Sequence, residues 1–200
     1  MVATSVVDVT MNAPAGVKAE AAAATDAAPS LVISNLNYAY PMGEKIIKDF
    51  SLTLPPGSRC LLSGANGAGK TTLLKILGGK HMVPKDKVLI HGREAFYDTG
   101  LTTSGQLSYI GGNWQRDVAF AGYGVTLAGD FPARQMLDSI PNVDPERKKR
   151  IIDVLDIDPE WRMHQVSDGQ RRRVQLAYGL MIPYSVSFFF NHRTRYEQLV

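Results

Sequence analysis

The chemistry of this chain is concentrated in Gly64-Ala65-Asn66-Gly67-Ala68-Gly69-Lys70-Thr71, whose spacing, G-x-x-x-x-G-K-[ST], answers the needs of a triphosphate at each fixed position. Gly64, Gly67 and Gly69 let the backbone turn so that successive N–H groups point inward around phosphate oxygens. Lys70 adds a charge able to reach the β- and γ-phosphates, and the hydroxyl of Thr71 suits the magnesium ion that accompanies them. An apolar segment, Cys60-Leu61-Leu62, leads into the loop as a strand; Leu73, Leu74, Ile76 and Leu77 after it give a helix an apolar face. The positive end of that helix faces the same anion, and Gly78-Gly79 reads as its stop. The spacing and its strand-to-helix context predict a phosphate-binding loop.

A second candidate site lies about a hundred residues on, at Val166-Ser167-Asp168-Gly169-Gln170. Ser167 is a good helix N-cap, Asp168 favours the positive helix end, and Val174, Leu176, Ala177 and Leu180 are expected to form an apolar stripe. Alone, this is a well-capped helix; beside a phosphate-binding loop, Ser167 and Gly169 at a helix N-terminus make a second anion site. Tyr40, at the end of an apolar strand ahead of the loop, is placed where its ring could stack on an adenine base. As an ordinary strand aromatic it would share a face with Tyr38 by the period of two.

The elements that must position these residues begin near Leu31. Leu31 to Tyr40 and Ile46 to Leu54 read as two strands about a Pro41-Met42-Gly43 turn, and Ser58 to Ser63 as the third. Lys87 to His91 and Leu107 to Ile110 are two more short strands. From Phe131 the pattern becomes helical: Ala133 to Ile140, then Pro145 opening Glu146 to Leu155, on which Ile151, Ile152 and Leu155 share a face. Met1 to Ser30 is Ala-rich, nearly free of large apolar residues after Val9, and expected to be a disordered tail. A transit peptide fits it poorly, because it holds no arginine but has Asp8, Glu20 and Asp26.

The chain has 200 residues and a net charge of +3, too mild to argue for nucleic acid. Arg147-Lys148-Lys149-Arg150 and Arg171-Arg172-Arg173 are therefore expected to be solvated helix faces, with RNA or DNA binding through the second cluster a weaker alternative. No apolar run is long enough to span a bilayer, so a membrane role would need a partner. A single cysteine, Cys60, excludes an internal disulfide, fits a reducing compartment such as the cytoplasm, and is expected to be buried in its strand.

Tyr40, the run Gly64 to Thr72 and the Val166-to-Gln170 variant of a Leu-Ser-Gly-Gly-Gln signature together resemble an ATP-binding-cassette (ABC) ATPase domain, from Leu31 to about Pro183. The wording Tyr109-Ile110-Gly111-Gly112-Asn113-Trp114 and Trp161 to Gln175 looks like the family's soluble, non-intrinsic eukaryotic group. One fungal member of that group is associated with the carbon-catabolite-repression deadenylase complex. The resemblance implies an α/β fold of the P-loop NTPase type with N-terminal antiparallel strands and a helical subdomain. It implies ATP and Mg2+ as ligands, held by Tyr40 and by Gly64, Ala65, Asn66, Gly67, Ala68, Gly69, Lys70, Thr71 and Thr72, with Thr71 on the metal. It also implies a head-to-tail dimer with itself or another ABC subunit, in which Ser167, Asp168, Gly169 and Gln170 meet the partner's nucleotide, or a place in a larger complex.

The chain departs from the family in three places. Glycines follow Ile110 where the family's glutamine loop begins, and Gln115 comes late. Asp168 replaces a signature glycine and brings negative charge towards a phosphate, which should weaken the contact unless backbone N–H groups dominate. Beyond Pro183 the family's apolar strand ends in Asp-Glu, one carboxylate for magnesium and one to activate water. Here Phe190 and Asn191 stand in those positions, and neither can do that chemistry. Residues 184–200 read as a substituted C-terminus of a truncated domain with no switch histidine, His192 lying too close to the strand. ATP binding is thus expected, with hydrolysis poor or nil. The alternative is a non-catalytic ATP-binding module that pairs with a complete ABC subunit or larger complex.

Overall fold

A computed structural model of the chain describes residues 6–11, 18–19, 28–111 and 130–189, and divides into two compact units, Met1–Leu107 and Ser108–Val200. The first unit opens with β1 (Val6–Met11) and β2 (Lys18–Ala19), short strands inside the segment assigned above to a disordered tail. That expectation fails for these residues. β1 lies parallel to β5 (Arg59–Gly64), with Val6 beside Arg59 and Met11 beside Gly64, and Val9 and Met11 are buried. The composition of the whole thirty-residue segment hides it, because the β-branched and apolar run Val6-Val7-Asp8-Val9-Thr10-Met11 is diluted by the Ala-rich residues that follow.

The main sheet of this unit has the order β2-β4-β3-β6-β7, from β3 (Leu31–Ala39), β4 (Lys45–Leu54), β6 (Val88–Ile90) and β7 (Arg93–Glu94). β3 runs antiparallel to both β4 and β6. Alternation puts Leu31 and Ile33 on the buried side, and a register shift brings Leu36 to join them; Ile47, Phe50 and Leu52 of β4 fill the same core. β5 leads into the loop and then α1 (Lys70–Leu77), which buries Thr72, Leu73, Ile76 and Leu77. A short helix, α2 (Gly100–Thr103), buries Leu101 and closes the unit.

The second unit contains β8 (Leu107–Ile110), which begins at the boundary, and β9 (Val186–Phe189), its partner in a two-stranded sheet. Between them come α3 (Ala133–Asp138), α4 (Pro145–Val154) and α5 (Asp168–Leu180). Their core gathers Phe131, Met136, Leu137, Met163, Val174 and Met181, with Ile151, Ile152 and Leu155 of α4 packed half-buried against it. Pro145 occupies the first turn of α4 and Asp144 caps it, accepting from the Arg147 N–H at 2.8 Å. The stripe of α5 differs from the expected one: Arg171, Val174, Gln175 and Ala177 are buried, whereas Leu176 and Leu180 are only half-buried.

The basic clusters are only in part the solvated faces expected of them. Arg171 is buried, and its guanidinium donates to the Val166 carbonyl at 3.3 Å and to Asp168 at 3.2 Å. Arg172 is half-buried near Tyr109 and donates to Gln175; burial lowers its pKa and raises that of Tyr109. Arg173 pairs with Asp156 at 2.8 Å and lies over the Trp161 ring, 5.5 Å from its centroid. In α4, Arg147 reaches across to donate to the Leu180 carbonyl at 2.8 Å and the Met181 carbonyl at 3.1 Å, satisfying the end of α5, while Lys148 pairs with Asp138. Lys149 and Arg150 are exposed. Arg171 falls on the packed face with Val174, Gln175 and Ala177, so the three successive arginines are divided between that face and its borders.

Candidate functional site

In the loop, Gly64, Gly67 and Gly69 take φ values of 145°, 83° and 91°. Gly69 is fixed twice over, because a Cβ there would also stand 2.9 Å from Ile46 Cγ2. Ala68 N–H closes a turn onto the Ala65 carbonyl at 3.2 Å, and Leu73 N–H reaches the Gly69 carbonyl at 2.8 Å to start α1. The Lys70 ammonium lies inside this turn, donating to the Gly64 carbonyl at 2.5 Å and the Ala65 carbonyl at 2.8 Å. Ala65, Asn66 and Gly67 are exposed, Thr71 is half-buried, and Ala68 and Thr72 are buried. A cationic group thus sits in a concave run of backbone at a helix N-terminus, and the helix has no side-chain cap and no acid in its first turn. This donor set fits a polyphosphate.

Tyr40 follows β3 directly and opens the turn in which Gly43 N–H reaches its carbonyl at 3.0 Å. Its hydroxyl lies 3.3 Å from the hydroxyl of Thr72, so the structure joins the aromatic candidate to the loop. Tyr38 shares its face as the period of two requires, with ring centroids 5.4 Å apart at 84°. Sequence reasoning missed His81. Its Nε2 lies 3.3 Å from the Tyr40 hydroxyl, and its ring packs on both tyrosines. The Gly78-Gly79 stop foretold a chain reversal there, but no local signal shows which side chain it delivers.

The Val166-to-Gln170 segment lies in the second unit. Ser167 caps α5 in a reciprocal box: its hydroxyl accepts from Gln170 N–H at 3.2 Å, and the Gln170 side-chain oxygen accepts from Ser167 N–H at 2.9 Å. Ser167, Asp168 and Gly169 are exposed. Asp168 is turned onto Arg171, which draws its charge back along the helix. Gly169 is not demanded by the fold: a Cβ there would meet nothing nearer than Ser167 Oγ at 3.9 Å. Gly179, by contrast, is closely packed, since a Cβ would stand 2.2 Å from Ile110 Cδ1 and that side chain would have to move. Gln115, Phe190 and Asn191 lie outside the described residues. Cys60, expected to be buried, is exposed, because β5 among the described residues is covered on too few sides.

The ABC transporter family model matches residues 47–189. ABC transporter I family members 20 and 21 of Arabidopsis thaliana are 55% and 53% identical, each over 77% of this chain and over 49% and 55% of their own lengths. CCR4-associated factor 16 of Saccharomyces cerevisiae is 35% identical over 78% of this chain and 57% of its own. The chain therefore spans about half the length of the curated relatives it matches. Among solved structures, a bacterial Atm1-family ABC exporter with ATP bound aligns with a TM-score of 0.57 over 80% of this chain and 28% of that one. The cbiO1 protein of Clostridium perfringens aligns at 0.58 over 80% and 64%; both are 20% identical and share the fold. No helix among the described residues is long and apolar enough to cross a membrane. On the family match over residues 47–189 and the likeness to these relatives, the chain belongs to the ABC transporter ATPase domain family, a family of ATP-binding domains.

Proposed function

We propose that this chain binds MgATP through the Gly64-to-Thr72 loop, with the adenine base stacked on Tyr40. The observation that carries the reading is the placement of the Lys70 ammonium within the left-handed turn at the uncapped start of α1. Among the described residues no cluster of three or more His, Cys, Asp or Glu could hold a metal ion, so the magnesium would arrive with the triphosphate and take the Thr71 hydroxyl as its protein ligand. Once bound, that ion would neutralise phosphate charge; the chain's own part is to orient the phosphates by backbone N–H groups and Lys70.

Ser167, Gly169 and Gln170 are proposed to face the nucleotide of a second ABC subunit, either another copy of this chain or a relative, head to tail. Support comes from the exposed position of Gly169 and its freedom from any packing requirement, which leaves close approach from outside as the use of its missing side chain. The pairing of Asp168 with Arg171 reduces the repulsion its charge would otherwise bring. With Phe190 and Asn191 after the apolar strand, phosphate release by this chain alone is expected to be very slow. A place in a larger assembly is proposed on the likeness to CCR4-associated factor 16, and the cytoplasm is proposed as the compartment, where the nucleotide is abundant.

Sedimentation of the chain with and without MgATP tests the pairing. A mass that doubles with ATP, and fails to do so in Gly169→Ala, is expected. A wild-type mass indifferent to ATP at high protein concentration would contradict self-pairing and leave a relative as the partner to add.

A further inference from the structure

The stacking role proposed for Tyr40 needs only a ring face, yet its hydroxyl is engaged from two directions. Thr72 Oγ1, in the first turn of α1, and His81 Nε2, beyond the end of the same helix, each lie 3.3 Å away. Two rings also stand at near-right angles to Tyr40: Tyr38 at 84° and His81 at 88°, with centroids 5.4 Å and 5.5 Å distant. Tyr38 and His81 lean on each other at 30° and 5.6 Å. Tyr40 keeps 37% of its surface accessible, so the clamp leaves room for a base. An exposed tyrosine at a strand end otherwise exchanges rotamers within nanoseconds, and binding must then stop that motion.

His81 is itself held in place. Gly79, at φ 67°, turns the chain back so that Gly79 and Lys80 N–H groups reach the Ile76 and Lys75 carbonyls at 3.0 Å and 2.8 Å. A Cβ at Gly79 would stand 2.4 Å from the Ala95 carbonyl oxygen, so the turn cannot be made by another residue without moving that backbone. Burial, and secondarily Lys75 on α1, hold the His81 pKa below its usual value. The ring is therefore neutral near pH 7, with one nitrogen free to accept a hydrogen bond.

We infer that His81 is a positioning residue for nucleotide recognition: it fixes the Tyr40 ring against Thr72 before the base arrives, so that the base platform and the phosphate loop act as one preorganised site. This rests on the stacking reading of Tyr40. Without that role the clamp would orient a ring that touches no ligand.

The test is a double-mutant cycle on the full chain with two probes, MgATP and magnesium-bound inorganic tripolyphosphate, by calorimetry. His81→Ala is expected to weaken ATP about threefold to tenfold, the span of one hydrogen bond, and to leave tripolyphosphate unchanged. In a Tyr40→Ala background His81→Ala should add nothing. His81→Gln, whose side-chain oxygen can accept from the hydroxyl in place of Nε2, should recover most of the loss. Equal weakening of both probes, or the same loss with Tyr40 already removed, would show general support of the loop and overturn the inference. If Tyr40→Ala weakens ATP and His81→Ala does not, the inference falls and the stacking stands. If Tyr40→Ala leaves ATP binding intact, both fall.

Discussion

Helix α1 starts at Gly69 in the left-handed conformation, with no side-chain cap and no first-turn acid, whereas α5 starts at Ser167 in a complete capping box with Asp168 in its first turn. Every helix begins with backbone N–H groups that lack an intrahelical partner. α5 satisfies its own with Ser167 and closes the box through Gln170, and Asp168 offsets its dipole. α1 leaves its start uncapped by any side chain and adds the Lys70 charge beside it. The first helix end is left open, as the proposed anion site requires; the second is capped by its own side chains and shows the surroundings a bare glycine.

Substitutions at the two helix starts should separate these designs. The largest effect on folding is expected at Gly69→Ala, where both the φ of 91° and the approach of Ile46 oppose a side chain. A loss of about 1–3 kcal/mol in urea unfolding is predicted, and a loss below about 0.5 kcal/mol would mean the left-handed start is not required. Ser167→Ala should cost about 1 kcal/mol, the usual worth of such a cap. It should leave the affinity of the isolated chain for MgATP unaltered, since Ser167 faces a partner's nucleotide on this account; a parallel fall in affinity would contradict it. Gly169→Ala should be the mildest, neutral or stabilising by up to about 1 kcal/mol because the backbone there is helical and uncrowded. A clear destabilisation by thermal melting would show that the fold, and not an approaching ligand, needs that glycine.

Much of this contrast was legible in the sequence because it is local. The loop spacing, the first-turn proline of α4, the Ser167 cap and the period-two pairing of Tyr38 with Tyr40 all act within a few residues, and the structure places each as read. What escaped depends on distant chain. β1 exists because β5 offers it an edge, and nothing in Val6 to Met11 announces that. Cys60-Leu61-Leu62 has the continuous apolar character of a strand covered on both faces, but no residue of β5 is buried and Leu61 is 62% exposed. The arginines of α5 read as solvent-facing charge until Trp161, Asp156 and Val166 are brought against them. His81 is silent for the same reason: its hydrogen-bond partner Tyr40 is 41 residues away in the chain.

The most direct measurement is the affinity of the full chain for MgATP with and without the Lys70 side chain. Wild-type protein should bind, and Lys70→Ala should lose at least about tenfold in affinity, the scale of a charge-assisted contact to phosphate, while melting at nearly the same temperature. Undiminished binding by Lys70→Ala would mean that the Gly64-to-Thr72 loop is not where this chain holds its nucleotide.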